Sequence, residues 1–416
     1  DPTSTAYHIA GGVRLVGDVD REALTQAFSA LALRHDALRT LFYAVDGQPR
    51  QWILSSFDVA LAFYDLSALP LDRAQQQAAQ RAEIDARTPF DLERGPVWRV
   101  LLARLPDRDG QAVHELNLTL HHLIADGWSL NRLLAEFSAL YGALQLGHEP
   151  QLPALPIRHA DFALWQRHWL EAGEAERQLG YWTAWLGGDQ PVIELPYDKP
   201  RPTEPSQRGG RIPFVLPEAV SDAVLTVAHP QGVTLFLVLL AAFNVLLYRY
   251  SGQTDLRIGL PLANRQRPET QALIGYCVNT VVLRTELSAS TRFDALLQQV
   301  KHTLLQAQAH PDLPFEQLVD ALQPERRLGQ NPLFQILINH QQTDVGLLQS
   351  QADWQIEALD RDNGAAQFDL SLDTWHDRQG RIGGVFTYAC DLFEAETIER
   401  LAGHYSYLLG QLLAQP

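Results

Sequence analysis

The sequence predicts a mixed α/β protein with two lobes, each built from a mixed sheet flanked by helices. Segments with the period-2 alternation of strands are interspersed with segments of helical periodicity along the whole chain. The 416 residues also exceed what one hydrophobic core usually organises. Five prolines and four glycines interrupt both periodicities between residues 187 and 210, which predicts a connection between lobes there. We therefore divide the chain into lobes at 1–175 and 176–416.

The first lobe begins with a strand that ends at Gly17, and Asp20 then suits the N-cap of a helix. The alanine-rich residues 71–87 predict a surface helix. Further elements follow: strands at Val97–Leu105 and Ala112–His122 joined by a hairpin turn, a helix after Gly127, and a helical stretch over 161–182. These elements give the first lobe a sheet with helices around it.

The second lobe repeats the mixture of elements. Thr234 is a suitable N-cap for a strongly apolar helix. The remaining predicted elements are strands at Leu256–Leu262, Val278–Leu287, Leu333–His340, Phe368–Asp373 and Val385–Tyr388, and helices at Phe293–Ala309 and Glu394–Leu413. No fixed-period repeat of the solenoid type is visible.

The charge, the apolar runs and the cysteines of the chain indicate which classes of partner and location it suits. The chain has 33 basic and 49 acidic residues, a net charge of −16, so it is a poor general binder of nucleic acid or anionic membrane. Its longest apolar run, Leu235–Phe243, is too short to span a bilayer. Cys277 and Cys390 stand alone, without the spacing of a disulfide framework or zinc site, which fits a cytoplasmic location. Because the chain lacks methionine and begins at Asp1, we expect a segment of a longer protein.

The most informative segment runs from Leu120 to Ser129. His121 and His122 end a predicted strand, so their side chains point to opposite faces. Asp126 and Gly127 then precede an amphipathic helix. Imidazole titrates near neutral pH, so one histidine is a candidate for moving a proton. A buried structural histidine and a metal site are the competing interpretations, although no third or fourth ligand lies nearby in sequence.

The pattern His-His-x-x-x-Asp-Gly-Trp-Ser resembles the active-site motif of the condensation domains of nonribosomal peptide synthetases. Five further segments resemble core motifs of that family in the expected order: Arg34–Thr40, His159–Trp165, Ile274–Thr280 with Arg284, His310–Glu316 and Asn331–Gln335. The sequence departs from the family at His159, where tyrosine is usual. It also lacks the first core motif, whose arginine supports the active-site region in the family.

The resemblance implies two chloramphenicol-acetyltransferase-like lobes in a V with a tunnel between them. The implied reaction joins an upstream acyl or peptidyl thioester to the amine of a downstream aminoacyl thioester. Both substrates would be carried on the 4′-phosphopantetheine of partner carrier proteins, beside a neighbouring adenylation domain, and the domain itself would bind no cofactor or metal. A thioester is already activated, and no nucleophile motif such as G-x-S-x-G is present, so positioning and one proton transfer remain.

We assign His122 to the chemistry, as a base or as a positioner of the amine. Gly127 is a candidate backbone donor near the reacting carbonyl. His121 is expected to hold the loop, and the resemblance implies that Asp126 pairs with Arg284 of the other lobe. Three residues are assigned mainly to structure and as candidate lining of the tunnel: Trp128, Ser129 and Asn331.

The same fold also serves different functions. Epimerization domains share the HHxxxDG core, but the continuation Gly127-Trp128-Ser129-Leu130 is more typical of condensing members. Heterocyclization domains have aspartate in place of the two histidines. The fold would also suit a free-standing acyltransferase that uses coenzyme A, or a non-catalytic module that docks carrier proteins. The motifs do not select among L-peptidyl, D-peptidyl and fatty acyl donors.

Overall fold

A computed structural model of the chain describes residues 4–57, 59, 61–228, 231–323, 329–341, 354–377 and 379–414. These residues form two compact units. The first contains residues 4–166, 265–277 and 354–363, and the second contains most of the remainder, up to residue 414. The first unit is therefore assembled from three separate stretches of sequence.

The strands of the described residues are β1 His8–Val16, β2 Thr40–Val45, β3 Gln48–Ile53, β4 Leu61–Asp65, β5 Trp98–Arg108, β6 Gln111–His121, β7 Gly209–Val215, β8 Asp255–Leu262, β9 Asn279–Glu286, β10 Ile336–His340, β11 Gln355–Leu359, β12 Leu370–His376 and β13 Ile382–Ala389. The α-helices are α1 Arg21–Arg34, α2 Leu71–Ala86, α3 Gly127–Gln145, α4 His159–Trp169, α5 Ala175–Leu186, α6 Glu218–Ala228, α7 Leu235–Ser251, α8 Phe293–Gln308, α9 Phe315–Leu322 and α10 Ala395–Ala414. Short irregular helical turns occur at Asp36–Arg39, Leu170–Glu174 and Pro268–Thr270.

The first unit contains a sheet with the strand order β11-β1-β6-β5-β4, together with the β2–β3 hairpin. All neighbours in the larger sheet are antiparallel except β4 and β5. Helices α1 and α3 cover one face through a core that includes Leu24, Phe28 and Phe137. The turn between β5 and β6 contains Asp109 and Gly110, both with positive φ, as a tight hairpin requires.

The second unit contains a sheet with the order β7-β13-β12-β10-β8-β9. Strand β10 runs parallel to β8 and β12, and the other pairs are antiparallel. Its main core is formed by α7 and α10 with the sheet, around Phe243, Phe386 and Tyr405. The Tyr405 hydroxyl donates to the Leu239 carbonyl at 2.9 Å, so this buried polar group is paired.

These two mixed sheets with helices confirm the predicted fold class. Asp20 caps α1 and Thr234 caps α7 through their side chains, as predicted. The elements that were not predicted are strands β2, β3, β4, β7 and β11 and helices α6 and α9. A single cut at 175/176 does not describe the observed units, because residues 265–277 and 354–363 belong to the first unit and residues 187–210 lie within the second.

Candidate active site

The site is organised by the N-terminus of α3. Strand β6 ends at His121, and the backbone N–H of His122 still donates to the Tyr7 carbonyl at 2.8 Å. The chain then turns, with the Ile124 N–H donating to the His121 carbonyl at 3.0 Å. Asp126 is the N-cap of the helix, and its Oδ1 accepts the Ser129 N–H at 2.9 Å. This cap fixes where the helix begins, because it satisfies one of the N–H groups without an intrahelical partner.

Asp126 is buried, at 2% exposure, and it pairs with Arg265. The Arg265 guanidinium lies 3.0 Å from Oδ2 and 3.2 Å from Oδ1 of the carboxylate. The carboxylate also accepts the Ser129 hydroxyl at 2.7 Å and the Cys277 N–H at 3.0 Å. A buried carboxylate with this many donors is a structural group rather than an acid or a base.

The structure corrects the partner expected for Asp126. Arg284 lies on β9 of the second unit and contacts Asp255, 3.1 Å away, and Glu286, 2.7 Å away. Arg265 instead reaches Asp126 from within the first unit. The correction has a topological reason: Arg265 follows β8 and belongs to the segment 265–277 that joins the first unit, whereas Arg284 lies beyond that segment, within the strand.

Arg265 also organises its own segment. Its guanidinium donates to the carbonyls of Thr270 and Leu273, both at 2.8 Å, and of Gly275 at 2.9 Å. The Ser129 hydroxyl lies 3.0 Å from the Gly275 carbonyl and 3.1 Å from its N–H. One arginine and one serine therefore fix the path of the segment over the start of α3.

Gly275 lies where any residue with a side chain would force its neighbours to move. A Cβ there would lie 2.1 Å from Cδ2 of His159, which is buried. Nε2 of His159 is hydrogen-bonded to the Tyr276 carbonyl at 3.1 Å, and the His159 N–H donates to Asp36 at 3.2 Å. Burial lowers the pKa of His159, so this ring is neutral and structural.

His122 is half-buried and lies beside this segment. Its ring meets the Tyr276 ring edge-on, with centroids 5.4 Å apart and planes at 82°. Its Nδ1 is buried and has no hydrogen-bond partner among the described residues. Burial lowers the pKa of His122, while the Asp126 carboxylate and nearby backbone groups act in the opposite direction. The ring is therefore an uncharged imidazole near neutral pH, the form that can accept a proton.

His121 has other ring neighbours than His122, and it holds the loop. Its Nδ1 accepts the Leu123 N–H at 3.1 Å. Its ring packs edge-on against His8, with centroids 5.9 Å apart. Burial, and then the proximity of His8 and His122, lower the pKa of His121 to about 4.

The remaining predicted residues have different environments. Gly127 is the first residue of α3, so its N–H is one of the helix N–H groups without an intrahelical acceptor. Trp128 is 43% exposed and donates from Nε1 to the Gln271 carbonyl at 3.0 Å. Ser129 is completely buried, which contradicts its assignment to an accessible passage and agrees with a structural role. Asn331 lies in the second unit and donates to the Gln367 carbonyl at 2.8 Å.

The described residues contain no group of three or more His, Cys, Asp or Glu side chains placed to hold a metal ion. Within the same ranges, no helix combines the length and hydrophobicity needed to cross a membrane. Cys277 is buried, and burial raises the pKa of its thiol to about 12, so it is not a thiolate nucleophile at neutral pH. The described residues place the imidazole of His122 close to the N-terminus of α3.

Sequence reasoning did not identify Arg265, Tyr276 or His8 as parts of this site. Arg265 carried no signal of its own, since it lies in the polar stretch Asn264–Arg267 that follows a strongly apolar strand. Tyr276 lies within the segment Ile274–Thr280 that resembles a family motif, but its contact with His122 was not predicted, and His8 carried no signal. Their proximity to the two histidines follows from strand register and from the return of residues 265–277 to the first unit.

Comparisons with known proteins agree with this architecture. The family model described as "Condensation domain" matches residues 1–416. The chain is 41% identical to one of the linear gramicidin synthase proteins of Brevibacillus parabrevis, covering 100% of this chain and 5% of that protein. It is also 41% identical to the phosphinothricin tripeptide synthetase PhsC of Streptomyces viridochromogenes, covering 100% of this chain and 38% of that protein. The chain thus spans a small part of these relatives.

Solved structures show the same fold. The X-domain from teicoplanin biosynthesis superposes with a TM-score of 0.87 at 26% identity, covering 99% of this chain and 91% of that one. A four-domain nonribosomal peptide synthetase bound to AMP and glycine gives a TM-score of 0.86 at 24% identity, covering 100% of this chain and 32% of that one. With the family model matched from end to end, the chain belongs to the condensation domain family of nonribosomal peptide synthetases.

Proposed function

We propose that this domain forms an amide bond between the acyl or peptidyl group of one carrier-bound thioester and the amine of a carrier-bound aminoacyl thioester. The observation that carries the proposal is the half-buried imidazole of His122 close to the N-terminus of α3, with burial lowering the pKa of the ring. The partners would be an upstream donor carrier protein, a downstream acceptor carrier protein and a neighbouring adenylation domain. Relatives named as peptide synthetases and synthases support this assignment.

The reaction needs little from the protein beyond alignment and proton handling. The amine nitrogen attacks the thioester carbonyl, the C–N bond forms, and the C–S bond breaks to release the donor thiolate. The nitrogen must lose one proton and the leaving sulfur must gain one. Holding both substrates in line can supply about 7–11 kcal/mol of the barrier. Proton transfer through a positioned side chain adds on the order of 10²- to 10⁴-fold in rate.

His122 is the group proposed to take the proton or to orient the amine. Its Nδ1 is buried, which leaves Nε2 as the nitrogen that a substrate can reach. Its lowered pKa keeps the ring unprotonated and ready to accept. Gly127 is proposed to donate its N–H to the oxygen that becomes negative as the amine attacks, since the helix N-terminus favours negative charge there. His121, Asp126 and Arg265 hold this arrangement.

The test is a condensation assay with a loaded donor carrier and a loaded acceptor carrier, with products read by mass spectrometry. His122→Ala should lower the product-forming rate by about 100-fold or more while the fold is retained by circular dichroism. The matched control is His148→Ala, which removes an exposed histidine beyond the end of α3 and should leave the rate unchanged. Full turnover by a folded His122→Ala protein would contradict the assignment of His122.

A second pair of measurements separates the two roles of His122. His122→Gln can still hydrogen-bond to an amine but cannot take its proton. If His122 is a base, the Gln variant should be as impaired as the Ala variant, and the native rate should fall on the acid side at a pH below the usual histidine value. If His122 only positions the amine, the Gln variant should recover much of the rate.

One comparison favours a binding function as a second candidate. The X-domain from teicoplanin biosynthesis has also been solved as a complex with OxyB, at a TM-score of 0.85 and 26% identity. A domain that only recruits partners would bind loaded carriers in the assay above without forming a product. An inverted stereocentre or a free acyl product would instead identify epimerization or acyl transfer to a small acceptor.

A further inference from the structure

His8 lies directly opposite His121 in the sheet. The register of β1 and β6 pairs these two residues, and their ring centroids are 5.9 Å apart. Phe90 packs on both rings, with centroids 4.7 Å from His8 and 6.2 Å from His121. His8 is buried, at 6% exposure, although no sequence motif marks it. The His121 imidazole therefore contacts another imidazole and a phenyl ring.

Hydrogen bonds define the tautomers of both rings. Nδ1 of His8 lies 2.8 Å from the Ala86 carbonyl, which can only accept, so Nδ1 of His8 carries a proton. Nε2 of His8 is buried without a partner among the described residues, and it carries the lone pair of the neutral ring. Nδ1 of His121 accepts the Leu123 N–H at 3.1 Å, so it carries no proton. The two rings are neutral and in opposite tautomers.

The loop depends on the neutral state of His121. A protonated ring would carry N–H at both nitrogens, and the Leu123 N–H would then face another donor. The hydrogen bond between the Leu123 N–H and Nδ1 of His121, at the end of β6, would then be lost. Burial is the main cause of the lowered pKa of His121, and the rings of His8 and Phe90 contact its ring. His8 and His122 oppose its protonation further whenever they carry a charge themselves. Arg99 also opposes a positive charge on His8, against the opposite effect of Asp85.

We propose that His8 is a positioning residue for the condensation reaction, because its buried uncharged ring keeps His121 in the neutral tautomer that fixes the loop carrying His122. The inference rests on the proposed function for its effect on the reaction rate. Its structural part, the tautomer of His121, is independent of any activity. His8 thus acts through His121 and touches no reacting atom.

The first experiment uses the native 416-residue chain labelled with ¹⁵N-histidine. Long-range ¹H–¹⁵N spectra report the tautomer of each imidazole, and loss of one signal in His121→Gln assigns His121. The expected result is a proton on Nε2 of His121 at about pH 7 and no titration of that ring until well below the usual histidine value of about 6.5. A proton on Nδ1, or a charged His121 at neutral pH, would overturn the proposal without any His8 variant being needed.

The second experiment compares His8→Glu with His8→Gln, which differ in charge and hardly in shape. A carboxylate opposite His121 favours its charged form, so the pKa of His121 should rise by at least about one unit in the Glu variant relative to the Gln variant. The loss of rate that follows protonation of His121 should therefore begin at a higher pH in the Glu variant, with little change at alkaline pH. Equal pKa values of His121 in two folded variants would refute the role of His8. Failure of the proposed function would look different, since the native protein would then form no product while the pKa of His121 still moved.

Discussion

Arg265→Met should cost the protein several kcal/mol of folding free energy, far more than the same change at Arg284. The Arg265 side chain is 1% exposed and the Asp126 side chain 3% exposed. The substitution removes the only basic partner of Asp126 among the described residues and leaves its carboxylate buried with three neutral donors. Removal of one partner of a buried ion pair costs about 3–5 kcal/mol.

The effect should be concentrated in one part of the molecule. Arg265 also donates to the carbonyls of Thr270, Leu273 and Gly275. The substitution therefore removes these hydrogen bonds within the segment 265–277 as well. Unfolding in urea at neutral pH, followed by circular dichroism, gives the free energy. Hydrogen exchange of the amides of Gly275 and Cys277 reports whether the segment opens first, which should raise their exchange rates by at least about 100-fold.

Arg284→Met is the matched control. The Arg284 and Asp255 side chains are each 25% exposed, and the Glu286 side chain is 66% exposed. Partly exposed pairs of this kind contribute about 0–1 kcal/mol. If Arg284→Met destabilised the protein as much as Arg265→Met, the assignment of Arg265 as the partner of Asp126 would be refuted.

Two further predictions concern stability. Gly275→Ala should destabilise by at least about 2 kcal/mol in urea unfolding, because its Cβ would lie 2.1 Å from the buried His159 ring. The control Gly403→Ala, in α10 with open space around its Cβ, should be neutral or stabilising, and a similar loss at both sites would refute the steric argument. Burial and then the Arg104 charge lower the pKa of His114 to about 4, so the unfolded chain binds that proton first and stability falls between about pH 6.5 and pH 4. The loss approaches about 3 kcal/mol, and His114→Gln should reduce the fall of stability over that pH range by a similar amount, whereas an unchanged fall would contradict it.

The elements that sequence periodicity predicted are those with strong local signals. The caps at Asp20 and Thr234 and the β5–β6 hairpin depend on neighbouring residues, and all three agree with the structure. The helix α6 was missed because prolines and glycines surround a short apolar pattern. Strand β11 is half-exposed and pairs along one edge only, so its alternation is weak.

The sequence predicted those parts of the site that lie within the segment from Leu120 to Ser129. The different ring neighbours of His121 and His122 agree with strand alternation. The sequence placed Asp126 directly before an amphipathic helix, although it was not identified there as the N-cap. The partner of Asp126 could not be derived in this way. Arg265 is 139 residues away in sequence, and nothing in local periodicity indicates that residues between two paired strands belong to another unit. The assignment to Arg284 was wrong for this reason.

The return of residues 265–277 to the first unit has a consequence for synthesis on the ribosome. Asp126 emerges 139 residues before Arg265, an interval of about 7–28 s at elongation rates of about 5–20 residues per second. During that time the nascent first unit holds a carboxylate without its cation and a core without Ile274. We therefore expect the first unit to gain resistance to proteolysis when residues 265–277 have left the exit tunnel, and its full native resistance only when β11 has followed.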